Sequence, residues 1–316
     1  MRIVYFGTPA FAVPSLNALL AAGHEVATVV TQPDRRRGRG QRTSPSPVKV
    51  AATAAGLPVL QPERVRGPEF LEALEATASD LGVVAAYGRI LPDSVLATPA
   101  HGTINVHASL LPQYRGAAPI HRAVIAGEKE TGITMIRLVA EMDAGPMLGK
   151  ARLPIGADQT SAELEQALAE VGASLLVETV RQFELGTVRE EPQDHSQATF
   201  APRLSRDDGR MEWARPARRL HDQVRGLHPW PHAFAYLGER RLMLLRTEVL
   251  DASGPGAEPG TVIEARGDRL HVQCGASTTL AIRSLKPEGR AAMETRAFLA
   301  GRPIQPPARF GPDPTR

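Results

Sequence analysis

The chain of 316 residues has a single cysteine, Cys274. That excludes an internal disulfide and fits a reducing compartment. Its neighbours are polar and no His partner is obvious, so Cys274 reads as a spectator thiol. No Cys and His residues share the spacing of a structural zinc site, and no metal is expected. No apolar run approaches the ~20 residues that cross a bilayer, and a strand beginning at Arg2 leaves no stretch that reads as a secretory leader. A cytoplasmic protein without a membrane partner is the expectation. Lysine is scarce too: four of the 37 basic residues, the rest arginine. Arginine content by itself therefore carries little information, and only clustering does.

The known nucleotide signatures are also missing. "FGTPAF", at the first strand–turn–helix, has one glycine where a dinucleotide fingerprint needs three, and there is no phosphate-cradling Gly-rich loop ending in Gly-Lys. Gly7 reads as a turn residue rather than as part of an NAD site.

Clusters do exist in the charge. Residues 1–200 hold 18 basic and 21 acidic side chains, whereas residues 201–316 hold 19 and 13. Within the acidic part, Asp34 to Lys49 carries six basic residues against one acid. This asymmetry points to a polyanionic partner that touches the C-terminal part and that one loop. The alternative for the loop is a solvated charge run.

The periodicity predicts an α/β fold. Short apolar runs ("RIVYF", "EVATVVT", "DLGVVAAYG", "TINVH") alternate with amphipathic stretches in the manner of βαβ units, giving a doubly wound, Rossmann-like sheet. "SPVKVAATAAG" reads as a helix behind a Ser cap, Gly23 as a helix stop, and residues 160–185 as one long amphipathic helix. Residues 189–205 are polar and aperiodic, a linker between a catalytic domain (1–188) and a C-terminal domain (206–316). In the latter, short strands with regular turn signals predict a small OB-like β-barrel followed by a short helix.

"INVHASLLPQYRG" is the stretch with most chemistry. Asn105 and His107, two apart on a strand, share one face and could both donate to one oxygen. In open α/β sheets, ligands bind beyond the carboxyl ends of strands, where this pair sits. Asp143, in "VAEMDAGPML" after the next strand, could hold His107 in its charged form and relay protons. Such a trio suits acyl transfer to an acceptor that supplies its own amine. Plainer readings stand beside these: a capped strand end, a turn-forming Asp, and Leu-Leu-Pro as core filler.

"NVHASLLPQYRGAAPI", followed after a gap by "GITMIRLVAEMDAGPML", resembles the signature of the 10-formyltetrahydrofolate-dependent formyltransferases. "FGTPAFAVPSLNALL", "TQPDRRRGRGQRTSPSPVKVAA" and "RLSRDDGRMEW" extend the likeness over essentially the whole chain. The basic loop and C-terminal barrel narrow it to a branch whose acceptor is initiator methionyl-tRNA. The resemblance implies that Asn105, His107 and Asp143 are catalytic and that Ser109, Leu110, Leu111 and Pro112 bind the folate, with the turn's backbone meeting the edge of the flat pterin and its leucines packing the face. It implies further that Arg36, Arg37, Arg39 and Arg42 contact tRNA. The cosubstrate would be 10-formyltetrahydrofolate, and the enzyme a monomer. Alternatives are a formyltransferase acting on a sugar-nucleotide or ribonucleotide amine, and a catalytically inactive RNA-binding relative.

Overall fold

The structure, a computed structural model, describes residues 1–37, 42–250 and 256–311, with the backbone alone at 36, 37, 42 and 43. The elements begin with β1 (Arg2–Gly7), α1 (Val13–Ala21), β2 (Glu25–Val30), β3 (Arg35–Arg37), β4 (Arg42–Ser44) and α2 (Pro47–Ala54). Next come β5 (Val59–Leu60), α3 (Pro68–Glu75), β6 (Leu81–Ala85), α4 (Asp93–Leu96), β7 (Thr103–His107), β8 (Arg115–Gly116) and α5 (Pro119–Ala126). Then follow β9 (Glu130–Arg137), β10 (Met147–Pro154), α6 (Ser161–Glu184) and β11 (Phe200–Ala201). The chain divides into two compact units: Met1–Pro119, Glu130–Pro154 and Glu165–Ala201 in the first, Ile120–Lys129, Ile155–Leu164 and Pro202–Arg316 in the second.

The first unit is built on a seven-stranded sheet in the order β10-β9-β7-β6-β1-β2-β5. β1 pairs in parallel with β2 and β6, β2 with β5, and β6 with β7. This is the doubly wound, Rossmann-like arrangement that the alternation of strands and helices predicts. Ile3 to Phe6 and Leu81 to Ala85 are buried on both faces, which is why these runs show no polar alternation. The last two strands depart from the parallel pattern: β9 runs antiparallel to β7, and β10 antiparallel to β9. Arg137 therefore pairs with Ile104 near the start of β7, so the loop that follows β9 leaves from the far end of the sheet and must run back.

Local signals act where the sequence places them. The Ser46 hydroxyl accepts the Lys49 amide at 3.0 Å and caps α2, with Pro47 opening the helix. Gly23 ends α1 in the left-handed conformation at φ +82°. At Gly7, a Cβ would press on Ala12 and the Tyr5 ring at 2.9 Å, so this glycine serves close packing on β1. The polar residues 189–205 are tied to the first unit along part of their length. Glu191 and Met147 exchange backbone hydrogen bonds at 2.8 Å, and β11 pairs in parallel with β8.

The second unit contains α7 (Ala217–Gly226), β12 (Ala233–Leu237), β13 (Arg240–Leu250), β14 (Val262–Arg266), β15 (Arg269–Gln273), β16 (Thr279–Pro287), β17 (Met293–Glu294), α8 (Thr295–Gly301) and β18 (Phe310–Gly311). Its sheet runs β14-β15-β16-β13-β12-β18, with β17 beside β16. The two ends meet: Val262 N–H donates to the Ala308 carbonyl and Phe310 N–H to the Gly260 carbonyl, both at 2.8 Å. The antiparallel sheet thus curls back on itself, as the expected barrel requires. Cys274 is buried here, and burial pushes its thiol up to about 12, so it is chemically quiet. Among the described residues no helix is long and apolar enough to cross a membrane.

Gly132 in β9 has no room for a side chain: an added Cβ would overlap the Ala151 carbonyl oxygen and crowd Leu110. Gly132→Ala should therefore lower stability by about 1–3 kcal/mol, read as a lower urea midpoint.

Candidate active site

β7 ends in the groups of interest because of its alternation. Ile104 and Val106 are buried, Val106 lying close over Gly172 of α6, while Asn105 and His107 take the other face. His107, 5% exposed, is held at both ring nitrogens. Nδ1 lies 3.6 Å from Asp143 Oδ1, and Nε2 lies 3.1 Å from the Tyr114 carbonyl oxygen. Both partners can only accept, so a proton on each nitrogen would serve both. At 3.6 Å the carboxylate contact is an ion-pair separation, looser than a hydrogen bond. The Asn105 side-chain amide has no hydrogen-bond partner among the described residues.

Asp143 arrives by the returning loop after β9. Its backbone is left-handed, φ +52°, and its Oδ2 accepts the Gly116 N–H at 2.8 Å. Two residues not singled out from the sequence stand behind it. Gln193 donates from Nε2 to the carbonyls of Asp143 and Gly145, each at 2.7 Å. Its Oε1 accepts from Arg115, Nε at 3.1 Å and Nη2 at 2.7 Å. Both side chains are buried. Gln193 lies in the aperiodic segment, where nothing in the residue pattern distinguishes it.

The turn from Ser109 to Pro112 is organised by Thr134, the residue opposite His107 in the β7–β9 pairing. The Thr134 hydroxyl donates to the Ser109 carbonyl at 2.7 Å and accepts the Leu111 N–H at 3.1 Å. Ser109 donates to the Gln113 carbonyl at 2.6 Å, and the Leu110 carbonyl accepts the Gln113 N–H at 3.2 Å. Leu111 is buried with Ile136 and Met147. These groups of the turn are engaged within the chain; the Leu110 N–H and the Leu111 carbonyl are not among them. The side chains of Leu110 and Pro112 are half-buried.

At the basic loop, β3 pairs antiparallel with β4, Arg37 opposite Arg42 and Arg36 opposite Thr43. Arg39 lies outside the described residues, as do the side chains of Arg36, Arg37 and Arg42. Asp34, just before β3, accepts from Lys49 Nζ and from Gln61 Nε2, both at 2.7 Å. The Lys49 ammonium, then the Gln61 amide, hold its carboxyl below the usual carboxylate range. Among the described residues no group of three or more His, Cys, Asp or Glu side chains could hold a metal ion.

Two family models match the chain: "Formyl transferase" over residues 1–180 and "Formyl transferase, C-terminal domain" over residues 203–303. The methionyl-tRNA formyltransferase of Heliobacterium modesticaldum is 48% identical over 98% of this chain and 100% of its own. That of Desulfotalea psychrophila is 48% identical over 96% and 94%. The N-formyltransferase from Helicobacter canadensis, solved with folinic acid and dTDP-3-aminofucose, superposes with a TM-score of 0.66 at 14% identity, covering 89% of this chain and 98% of that one. At such identity the likeness is one of fold.

Thr134→Val keeps the shape but leaves a buried carbonyl and amide unpaired. It should cost about 1–3 kcal/mol in chemical denaturation, while Thr134→Ser stays near wild type.

Proposed function

The chain belongs to the formyl transferase family, and from that premise we propose that it moves the formyl group of 10-formyltetrahydrofolate to the free α-amino group of initiator methionyl-tRNA. The product is N-formylmethionyl-tRNA, used to begin translation, and we place the enzyme in the cytoplasm as a monomer. The observation that carries the chemistry is His107 between the Asp143 carboxylate and the Tyr114 carbonyl, beside an Asn105 amide with no internal partner among the described residues.

The folate supplies an activated formyl carbon on a nitrogen. Leu110 and Pro112, half-buried on this turn, suit one side of a flat and partly apolar molecule. As the amine attacks, a carbon–nitrogen bond forms, negative charge grows on the formyl oxygen, and the bond to the folate nitrogen breaks. The Asn105 amide is the donor available to that oxygen. His107 can join it by turning its Nε2–H from the Tyr114 carbonyl, a rearrangement common when catalytic hydrogen bonds tighten around substrate. Asp143 lies against the imidazole, and the pair can pass the amine's proton through water to the leaving nitrogen.

The acceptor is argued from charge. A sugar nucleotide does not call for the basic excess of residues 201–316 or for the arginine-rich hairpin, whereas a tRNA backbone does. β3 follows β2 at the same carboxyl edge of the parallel strands as His107, which suits an acceptor stem that delivers its amine there. We assign Arg36, Arg37, Arg39 and Arg42 to phosphate contacts on this basis.

Formylation assays with initiator Met-tRNA, elongator Met-tRNA, free methionine and an amino-sugar nucleotide test the reading. Product from the sugar in place of initiator Met-tRNA would reject it. Asn105→Ala, His107→Ala and Asp143→Asn should each lower kcat by about 10²-fold or more, with smaller changes in KM. Replacing Arg36, Arg37, Arg39 and Arg42 by Ala should flatten the salt dependence of kcat/KM for tRNA, by about 0.7–0.9 log units per log salt for each phosphate no longer neutralised. The KM for folate should not move. An unchanged salt slope would return the loop to a solvated charge run.

A further inference from the structure

We propose that Gln193, backed by the buried guanidinium of Arg115, is a positioning residue that holds Asp143 in register with His107. This rests on the reading that Asp143 acts with His107 in formyl transfer.

Asp143 needs such support. Left-handed backbone is uncommon outside glycine, even for aspartate, and is kept where the surroundings fix it. The loop around it gives little packing: residues 139–142 are exposed, Val139 and Met142 among them. What holds it is polar. The two hydrogens of Gln193 Nε2 go to the carbonyls of Asp143 and Gly145, bracketing the residue. Arg115 decides which way that amide points, because Oε1 must face the guanidinium, which has no acceptor, and Nε2 must then face the carbonyls. Arg115 is also joined covalently to Gly116, whose N–H fixes the Asp143 carboxylate. Backbone and side chain of Asp143 are thus anchored to one short piece of chain, itself paired with β11. Gln193 is secured by its own neighbours, since Glu191 pairs with Met147 and Asp194 caps the next turn.

Gln193 lies one residue behind the groups expected to react, so its loss should be felt as misplacement. Small displacements of a catalytic group can cost about 10²-fold in rate without a matching loss of binding.

The test uses two substitutions in the full chain. Gln193→Glu keeps an acceptor for Arg115, and so a partner for the buried charge, while removing both N–H donors. Gln193→Met keeps the length and removes all polarity. Each is assayed for kcat, for KM toward initiator Met-tRNA and 10-formyltetrahydrofolate, and for thermal midpoint, alone and combined with Asp143→Asn. The expected result is a fall in kcat of about 10-fold or more, KM values within about threefold, and no further fall on combination with Asp143→Asn. If Gln193→Met does not fold, Gln193→Glu carries the test. A Gln193 defect that multiplies with a normal Asp143→Asn defect, or one confined to KM, overturns the positioning role and leaves the proposed function standing. Near-wild-type kcat in Asp143→Asn removes Asp143 from the chemistry and the positioning role with it.

Discussion

The antiparallel pairing of β9 with β7, with Thr134 across from His107, is the constraint on which the site depends. It puts one hydroxyl where it can hold the Ser109–Pro112 turn by a carbonyl and an amide at once. It also sends β9 away from the carboxyl edge, so the following loop must double back to reach the histidine. A one-residue slip would turn Thr134 to the opposite face, move Asn105 and His107 out of their relation to it, and dissolve the turn.

The legible parts of this molecule are those with a repeating pattern. β1 and β6 announce themselves as apolar runs without alternation because both faces are covered, and Asn105 and His107 can be paired from a spacing of two. Asp143 stands out by its place in a Gly/Pro-bounded loop, though the direction of its strand is not readable: period-2 alternation is the same in parallel and antiparallel strands. α7 keeps the helical spacing Ala217, Leu220 and Val224, all buried, but polar side chains are buried beside them. Asp222 and Arg225 form an ion pair at 2.8 Å within it, and His221 is engaged by the Thr247 hydroxyl. Gln193 is invisible for a related reason, since a buried amide has no sequence signature apart from the partners it meets.

Fold and acceptor are separate questions here. The N-formyltransferase solved with dTDP-3-aminofucose shares the fold at 14% identity, so the fold by itself does not choose which amine is formylated. The hairpin β3–β4 is secured at its base by Asp34, Lys49 and Gln61. The curled sheet of the second unit leaves no long row of free backbone groups at its joined edge among the described residues.

The left-handed backbone at Asp143 also bears on how this sequence can drift. Glycine, asparagine and aspartate are the residues most at ease at φ +52°, and of these only aspartate carries a negative charge. Glutamate would keep the charge while forfeiting conformational ease and placing it one methylene too far; asparagine and glycine would do the reverse. Every single step away gives up either the shape or the charge. Under the role proposed for the Asp143–His107 pair, no single substitution at this position keeps both.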